Sequence, residues 1–312
     1  AGRVVIGISG GIDSAVNAAL YRSVLPAENL LLVNTPTRFN SETTKNLARR
    51  LAENLEAPFV ELPIDSFINE TVSQIDDLQI PSPSDMKTLH LTGFMKENIQ
   101  ARDRSTRILA TLSSAFGGIF TCNANKTELT VGYGTLYGDL SGALAATADL
   151  WKHQIYALGR TLNRYFDKNM IPDEIFTVRP SAELSENQDI TKGLGDPLIY
   201  EYHDFLFRSF IEPWNRITPE EILTWYSENC LEEKLGTPVS IKSIFKTHHD
   251  FITDLEKWWN LFAGFAVAKR IQAPPLLAVS RRPYGYDLRE SQIAPYYTDT
   301  YIHLKNSLLS NG

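Results

Sequence analysis

Along the N-terminal half of the chain, short apolar runs alternate with stretches whose apolar residues recur at helical spacing. Val4 to Ile8, Leu30 to Val33, Phe59 to Leu62 and Gly118 to Cys122 are predicted strands. Between them, Ala15, Val16, Ala19, Leu20 and Val24 fall on one helical face. Ser41 caps a further helix whose Leu47, Ala48, Leu51, Ala52 and Leu55 form a continuous stripe. This alternation predicts an α/β fold, a parallel sheet flanked by helices. Ile80 to Asp85 reads as a loop, Leu89 to Phe116 as mostly helical, and Ser181 to Pro197 as an aperiodic loop that could order over a substrate. Thr218-Pro219-Glu220-Glu221 marks a helix start, with an N-cap, proline at the first helical position and glutamate three residues after the cap. The expected organisation is one domain over residues 1–312, with 200–312 a mainly helical C-terminal extension.

The first strand runs into Ser9-Gly10-Gly11-Ile12-Asp13-Ser14. Glycines there permit a turn that side chains would obstruct, and the following helix presents unpaired amide hydrogens and the positive end of its dipole. Such a loop is a phosphate site. Without glycine-rich spacing ending in Lys-Ser or Lys-Thr, it differs from the loop of kinases and GTPases. The alternative is a plain glycine turn, with Asp13 and Ser14 serving as helix caps.

With 312 residues, 43% of them hydrophobic, the chain can bury a large core. A net charge of −7 argues against broad electrostatic binding to nucleic acid. No apolar run approaches the length of a membrane span. Cys122 and Cys230 form no paired motif, so a reducing cytoplasm is expected and neither thiol is an expected nucleophile. The chain begins at Ala1 and enters its first strand almost at once, which reads as a fragment.

Further polar residues cluster near predicted strand ends. Asn98 and Arg102, four apart on a helix, either share a ligand or form a solvated polar face. Glu128, just past the fourth strand, could give magnesium an oxygen ligand or simply favour a helix start. Asp139, in Tyr137-Gly138-Asp139, follows the polar segment that carries Glu128 and could occupy a turn. His248-His249 lacks a second ligand pattern, and Trp258-Trp259 with Leu261, Phe262 and Phe265 suits a core or an interface.

Ser-Gly-Gly-x-Asp-Ser resembles the pyrophosphate loop of the N-type ATP pyrophosphatases. Together with Glu97 to Arg102, Asn125-Lys126-Thr127-Glu128, Tyr137-Gly138-Asp139, Lys152, Pro180 to Leu184 and Lys269-Arg270, it occurs in the order seen in NAD synthetases. The resemblance implies an adenine nucleotide alpha-hydrolase-like fold and ATP-dependent amidation of deamido-NAD to NAD through an adenylated intermediate, with release of pyrophosphate and AMP. It places ATP on Gly7, Ile8, Ser9, Gly10, Gly11, Ile12, Asp13, Ser14, Asn123, Lys152 and Ser181. Magnesium falls on Asp13 and Glu128, and deamido-NAD on Asn98, Arg102, Lys269 and Arg270. Asp13, Lys152 and Asp139 are the implied catalytic groups, and a homodimer is the implied assembly. Two positions depart from the family pattern: Asn123 replaces a common threonine, and Leu136 replaces a lysine of the ammonia-dependent enzymes. Tyr284 to Glu290 resembles the glutamine-dependent branch, whose amidase domain has no counterpart in this chain, so ammonia is the expected nitrogen donor. GMP synthetase-like or tRNA-modifying ligases, and an ATP-binding sensor without catalysis, share only the loop.

Overall fold

In the computed structural model, residues 2–185, 188, 192, 195–285 and 295–310 are described. Four parallel strands, β1 Val4–Gly7, β2 Leu30–Asn34, β3 Phe59–Glu61 and, later in the chain, β6 Ile119–Phe120, form a sheet in the order β3-β2-β1-β6. Val4 pairs with Leu30 on one side and Ile119 on the other, and Leu32 with Phe59. Backbone hydrogen bonds continue past β6, from Ala143 N to the Phe120 carbonyl and from Ala145 N to the Pro275 carbonyl, tying the C-terminal third to the sheet edge. Between β3 and β6, Gln79–Pro81 (β4) and Met86–Thr88 (β5) make an antiparallel hairpin where a loop was expected. All six of its strand residues are exposed, so no buried alternation announced it.

Alternation along β1 sorts the cores. Val4 and Ile6 pack on one face with helices α1 Ile12–Arg22 and α2 Glu42–Leu55, while Val5 packs on the other with Val33 and Leu109. The Ser41 hydroxyl accepts from Thr44 N at 3.2 Å, and the predicted stripe from Leu47 to Leu55 is buried. Val24 departs from expectation: α1 ends at Arg22, which leaves Val24 beyond the helix and exposed.

The remaining helices follow in chain order: α3 Asp65–Ile75, α4 Gly93–Arg102, a π-helical turn Asp103–Leu109, α5 Ala110–Phe116, α6 Lys126–Val131 and α7 Lys152–Tyr165. Then come α8 Tyr200–Ile211, α9 Pro219–Ser227, α10 Leu231–Leu235, α11 Ile241–Ile244, α12 His248–Ala263, α13 Ala266–Gln272 and α14 Asp299–Ser310. Thr218 and Glu221 close the predicted capping box at α9. Trp151, Phe207, Phe210, Phe251 and Trp258 centre a second core, so Trp258 serves packing. No helix among the described residues is long and apolar enough to cross a membrane. Most of the Tyr284 to Glu290 motif lies outside the described residues, as does part of the Ser181 to Pro197 loop.

Candidate active site

In the order β3-β2-β1-β6, chain direction across the sheet reverses between β1 and β6, and ligands of open parallel sheets bind beyond the carboxyl ends at such a point. The segments leaving both strands line one cleft there, of about 270 Å³, just below the usual range for small-molecule sites. Its walls include Gly7, Ile8, Ser9, Gly11, Ile12, Asp13, Ser14, Asn123, Glu128, Asp139, Lys152 and Ser181.

The loop is held by its own serines. Ser9 N donates to Ser14 Oγ at 3.2 Å, Gly11 N to Ser9 Oγ at 3.3 Å, and Ser14 Oγ to the Gly11 carbonyl at 3.1 Å. No side chain caps the N-terminus of α1, which leaves that end available to an anion. Gly10 has φ of +84°, and a Cβ there would stand 2.1 Å from the Thr44 carbonyl oxygen. Gly10→Ala is therefore expected to shift the loop against α2, destabilise the fold by more than about 1 kcal/mol, and abolish nucleotide binding. Chemical denaturation and ATP titration check both effects.

Three charged groups from three elements meet behind the loop. Lys152 Nζ, at the start of α7, lies 2.5 Å from Asp13 Oδ2 on α1 and 3.8 Å from Glu128 Oε1 on α6. Asn125 fixes both acids: its Nδ2 donates to Asp13 Oδ1 at 2.9 Å, and it shares a capping box with Glu128. Burial, reinforced by the Asp13 charge, pushes the Glu128 carboxyl well up. Burial disfavours the Lys152 ammonium, but Asp13 and Glu128 outweigh it and raise its pKa, so it stays charged. Two carboxylates thus share a single cation. This donor set suits magnesium, which takes one or two carboxylates beside phosphate oxygens. Among the described residues, the one cluster of at least three His, Cys, Asp or Glu is the largely exposed Asp76, Asp77 and His90, away from this cleft.

Asn123 bridges the two strands, its Nδ2 donating to the Gly7 carbonyl at 2.7 Å while its buried Oδ1 has no partner. Ser181 Oγ accepts from Glu183 N at 3.1 Å. Glu183 in turn accepts from Thr44 Oγ1 at 2.7 Å and Ser41 N at 3.2 Å, which pins this wall to the start of α2. Burial raises the Asp139 carboxyl, whose Oδ1 accepts from Thr135 N at 2.6 Å.

Asn98, Arg102 and Lys269 converge on the Gly132–Leu136 turn beside the cleft. Asn98 Oδ1 accepts from Thr135 Oγ1 at 2.6 Å, Arg102 Nε donates to the Leu136 carbonyl at 3.2 Å, and Lys269 Nζ donates to the Gly132 carbonyl at 2.7 Å. Arg270 is not brought to the cleft. It is buried, stacked between Phe262 and Tyr284, and donates to the Thr130 and Phe262 carbonyls. Neither cysteine lines the cleft: burial pushes the Cys122 thiol up to about 12, and Cys230 is the N-cap of α10. His248 Nδ1 pairs with the Tyr226 hydroxyl at 2.9 Å.

Sequence reasoning gave Lys126 no role. Fully buried, its Nζ contacts Asp149 Oδ1 at 2.9 Å, Ser280 Oγ at 2.8 Å and the Arg282 carbonyl at 3.1 Å. It anchors the C-terminal segment to the helix that carries Glu128. Arg104, on the π-helical turn, was missed as well and lines the cleft. An apolar or charged periodicity would have flagged neither.

The NAD synthase family profile matches residues 1–239. The chain is 34% identical over 220 residues to the glutamine-dependent NAD(+) synthetase of Thermotoga maritima, covering 70% of this chain and 36% of that protein. It is 33% identical over 234 residues to the NH(3)-dependent NAD(+) synthetase of Helicobacter hepaticus, covering 75% of this chain and 80% of that one. The crystal structure of a glutamine-dependent NAD(+) synthetase from Cytophaga hutchinsonii superposes with a TM-score of 0.68 at 20% identity, over 98% of this chain and 52% of that chain, a likeness of fold. The chain therefore spans about a third to a half of the glutamine-dependent relatives it matches.

Proposed function

The chain belongs to the NAD synthase family, and from that premise we propose that it converts deamido-NAD to NAD with ATP and ammonia. The observation that carries this reading is the cleft at the ends of β1 and β6, where the glycine loop and the Asp13–Lys152–Glu128 cluster face one volume. The family match extends far past the loop that other pyrophosphate-loop ligases or a nucleotide sensor would share. Ammonia is chosen as donor because an NH(3)-dependent relative is matched over 80% of its length.

In the first step, a carboxylate oxygen of the substrate attacks the α-phosphorus of ATP. The acyl–phosphate bond forms as the bond to the β-phosphate oxygen breaks, and pyrophosphate leaves. Ammonia then attacks the acyl carbon and AMP departs with the bond electrons. The chain's task is positioning and charge stabilisation. Loop amides at the α1 N-terminus would hold phosphate oxygens, and Lys152 would turn from the acids toward the departing pyrophosphate. Asp13 and Glu128 would hold magnesium, which when bound neutralises charge on the phosphates. Asp139, with its raised carboxyl, is proposed to take a proton from the incoming nitrogen. Ser181 and Asn123 would contact ATP. Asn98, Arg102 and Lys269 would meet deamido-NAD, whereas Arg270 would act through the packing of α13. A homodimer suits this reading, because Ile80, Met86, Phe94 and Met95 are exposed apolar residues on β4–β5 and α4, with exposed Leu78 just before β4, that a second copy would cover.

The test is product formation from deamido-NAD, MgATP and ammonium. NAD and pyrophosphate appearing together are expected. Folded protein that binds ATP yet makes neither product would contradict the assignment.

A further inference from the structure

Arg104 is a cation of the cleft to which the proposed reaction gives no role. Arg104, half-buried on the π-helical turn, lines the cleft, and its Nε donates to the Thr35 carbonyl at 3.3 Å. The neighbouring Asp103 carboxylate is taken up by Arg107, at 2.5 and 2.7 Å. Among the described residues no carboxylate lies within ion-pair distance of Arg104. Burial lowers its pKa to about 10, although Asp139, Asp103 and Glu183 oppose this from a distance. A charge partly removed from water without a paired carboxylate is costly, and π-helical turns recur where a helix is distorted to aim a functional side chain.

Two further donors line the same cleft. Asn34 Nδ2, at the end of β2, and Thr121 Oγ1, just past β6, belong to side chains 5% and 3% exposed, and neither atom has a hydrogen-bond partner. Buried polar atoms are almost always satisfied, and an acceptor on a ligand in the cleft would complete these two. A guanidinium, an amide NH2 and a hydroxyl together match an oxyanion.

We propose that Arg104 is a further substrate-binding residue, which pairs with an oxyanion while Asn34 and Thr121 donate beside it. Resting on the functional reading above, this names two sources of the same chemistry: a phosphate of ATP and the carboxylate of deamido-NAD.

The experiment titrates wild type, Arg104→Gln and Arg104→Lys with MgATP and, separately, with deamido-NAD, and measures the unfolding midpoint without ligand. Arg104→Gln should keep or raise the ligand-free midpoint, since it removes a poorly compensated charge. Its affinity for at least one ligand should fall about ten- to hundredfold, the loss typical of a charge-assisted hydrogen bond. The ligand affected identifies the oxyanion. Arg104→Lys keeps the charge but not the planar fork and should lose affinity for the same ligand; it carries the test alone if the Gln variant does not fold. Unchanged affinity for both ligands in these variants would overturn the assignment, as would a lowered midpoint with intact affinities. Wild type that binds both ligands makes any such failure one of Arg104 alone. Wild type that binds neither overturns the functional reading and this inference with it.

Discussion

Asp13→Asn is expected to keep the fold and to lower NAD formation by about two to three orders of magnitude, the scale seen when one electrostatic element of a preorganised site is removed. Asp13 does two things at once. Its Oδ2 holds Lys152 at 2.5 Å and its Oδ1 accepts from Asn125 at 2.9 Å, so one carboxylate couples the loop helix α1 to α6 and α7. Asparagine is nearly isosteric but uncharged. It would leave the Lys152 ammonium with Glu128 alone, 3.8 Å away, and would weaken any magnesium held between the acids. Steady-state rates as a function of magnesium concentration, alongside circular dichroism, check this. Wild-type rates at low magnesium would remove Asp13 from the site.

Lys126→Ala carries the largest expected cost in stability, about 3–5 kcal/mol, the range for breaking one side of a buried ion pair. The lysine and Asp149 are both fully buried at the side chain. Asp149 also accepts from Val279 N at 2.7 Å and Ser280 N at 2.6 Å, so loss of Lys126 would leave a charge inside and loosen the segment after α13. Burial alone would raise the Asp149 carboxyl, but its bonds to Lys126 and Ser280 outweigh this and hold it below the usual range. A carboxyl depressed in the folded state stabilises above its unfolded pKa, and that contribution is lost as pH falls through the folded one. Urea unfolding at neutral and acidic pH should show a smaller gap between variant and wild type at the acidic end.

The loop was legible because its signal is local: a β-branched run, two glycines and a periodic helix need no partner to be recognised. The same holds for the caps at Ser41 and Thr218, where a hydroxyl meets an amide three residues on. What failed depended on tertiary surroundings. Val24 continued the apolar period of α1, but the helix stops two residues earlier. The β4–β5 hairpin has no buried face to imprint an alternation. Lys269 and Arg270 are adjacent in sequence, yet one step of helix turns them apart, the first to the Gly132 carbonyl and the second into the packing around Phe262. The π-helical turn rests on backbone hydrogen bonds that span one residue more than in an α-helix, which no residue pattern specifies, so Arg104 remained hidden inside an ordinary polar run.

If this cleft adenylates a carboxylate before nitrogen arrives, pyrophosphate is released with ammonium withheld, and that release is the most direct test. With MgATP and deamido-NAD together, rapid-quench sampling should show a burst of pyrophosphate stoichiometric with enzyme, and no burst when deamido-NAD is left out. Pyrophosphate released equally without deamido-NAD, or none until ammonium is added, would contradict the account.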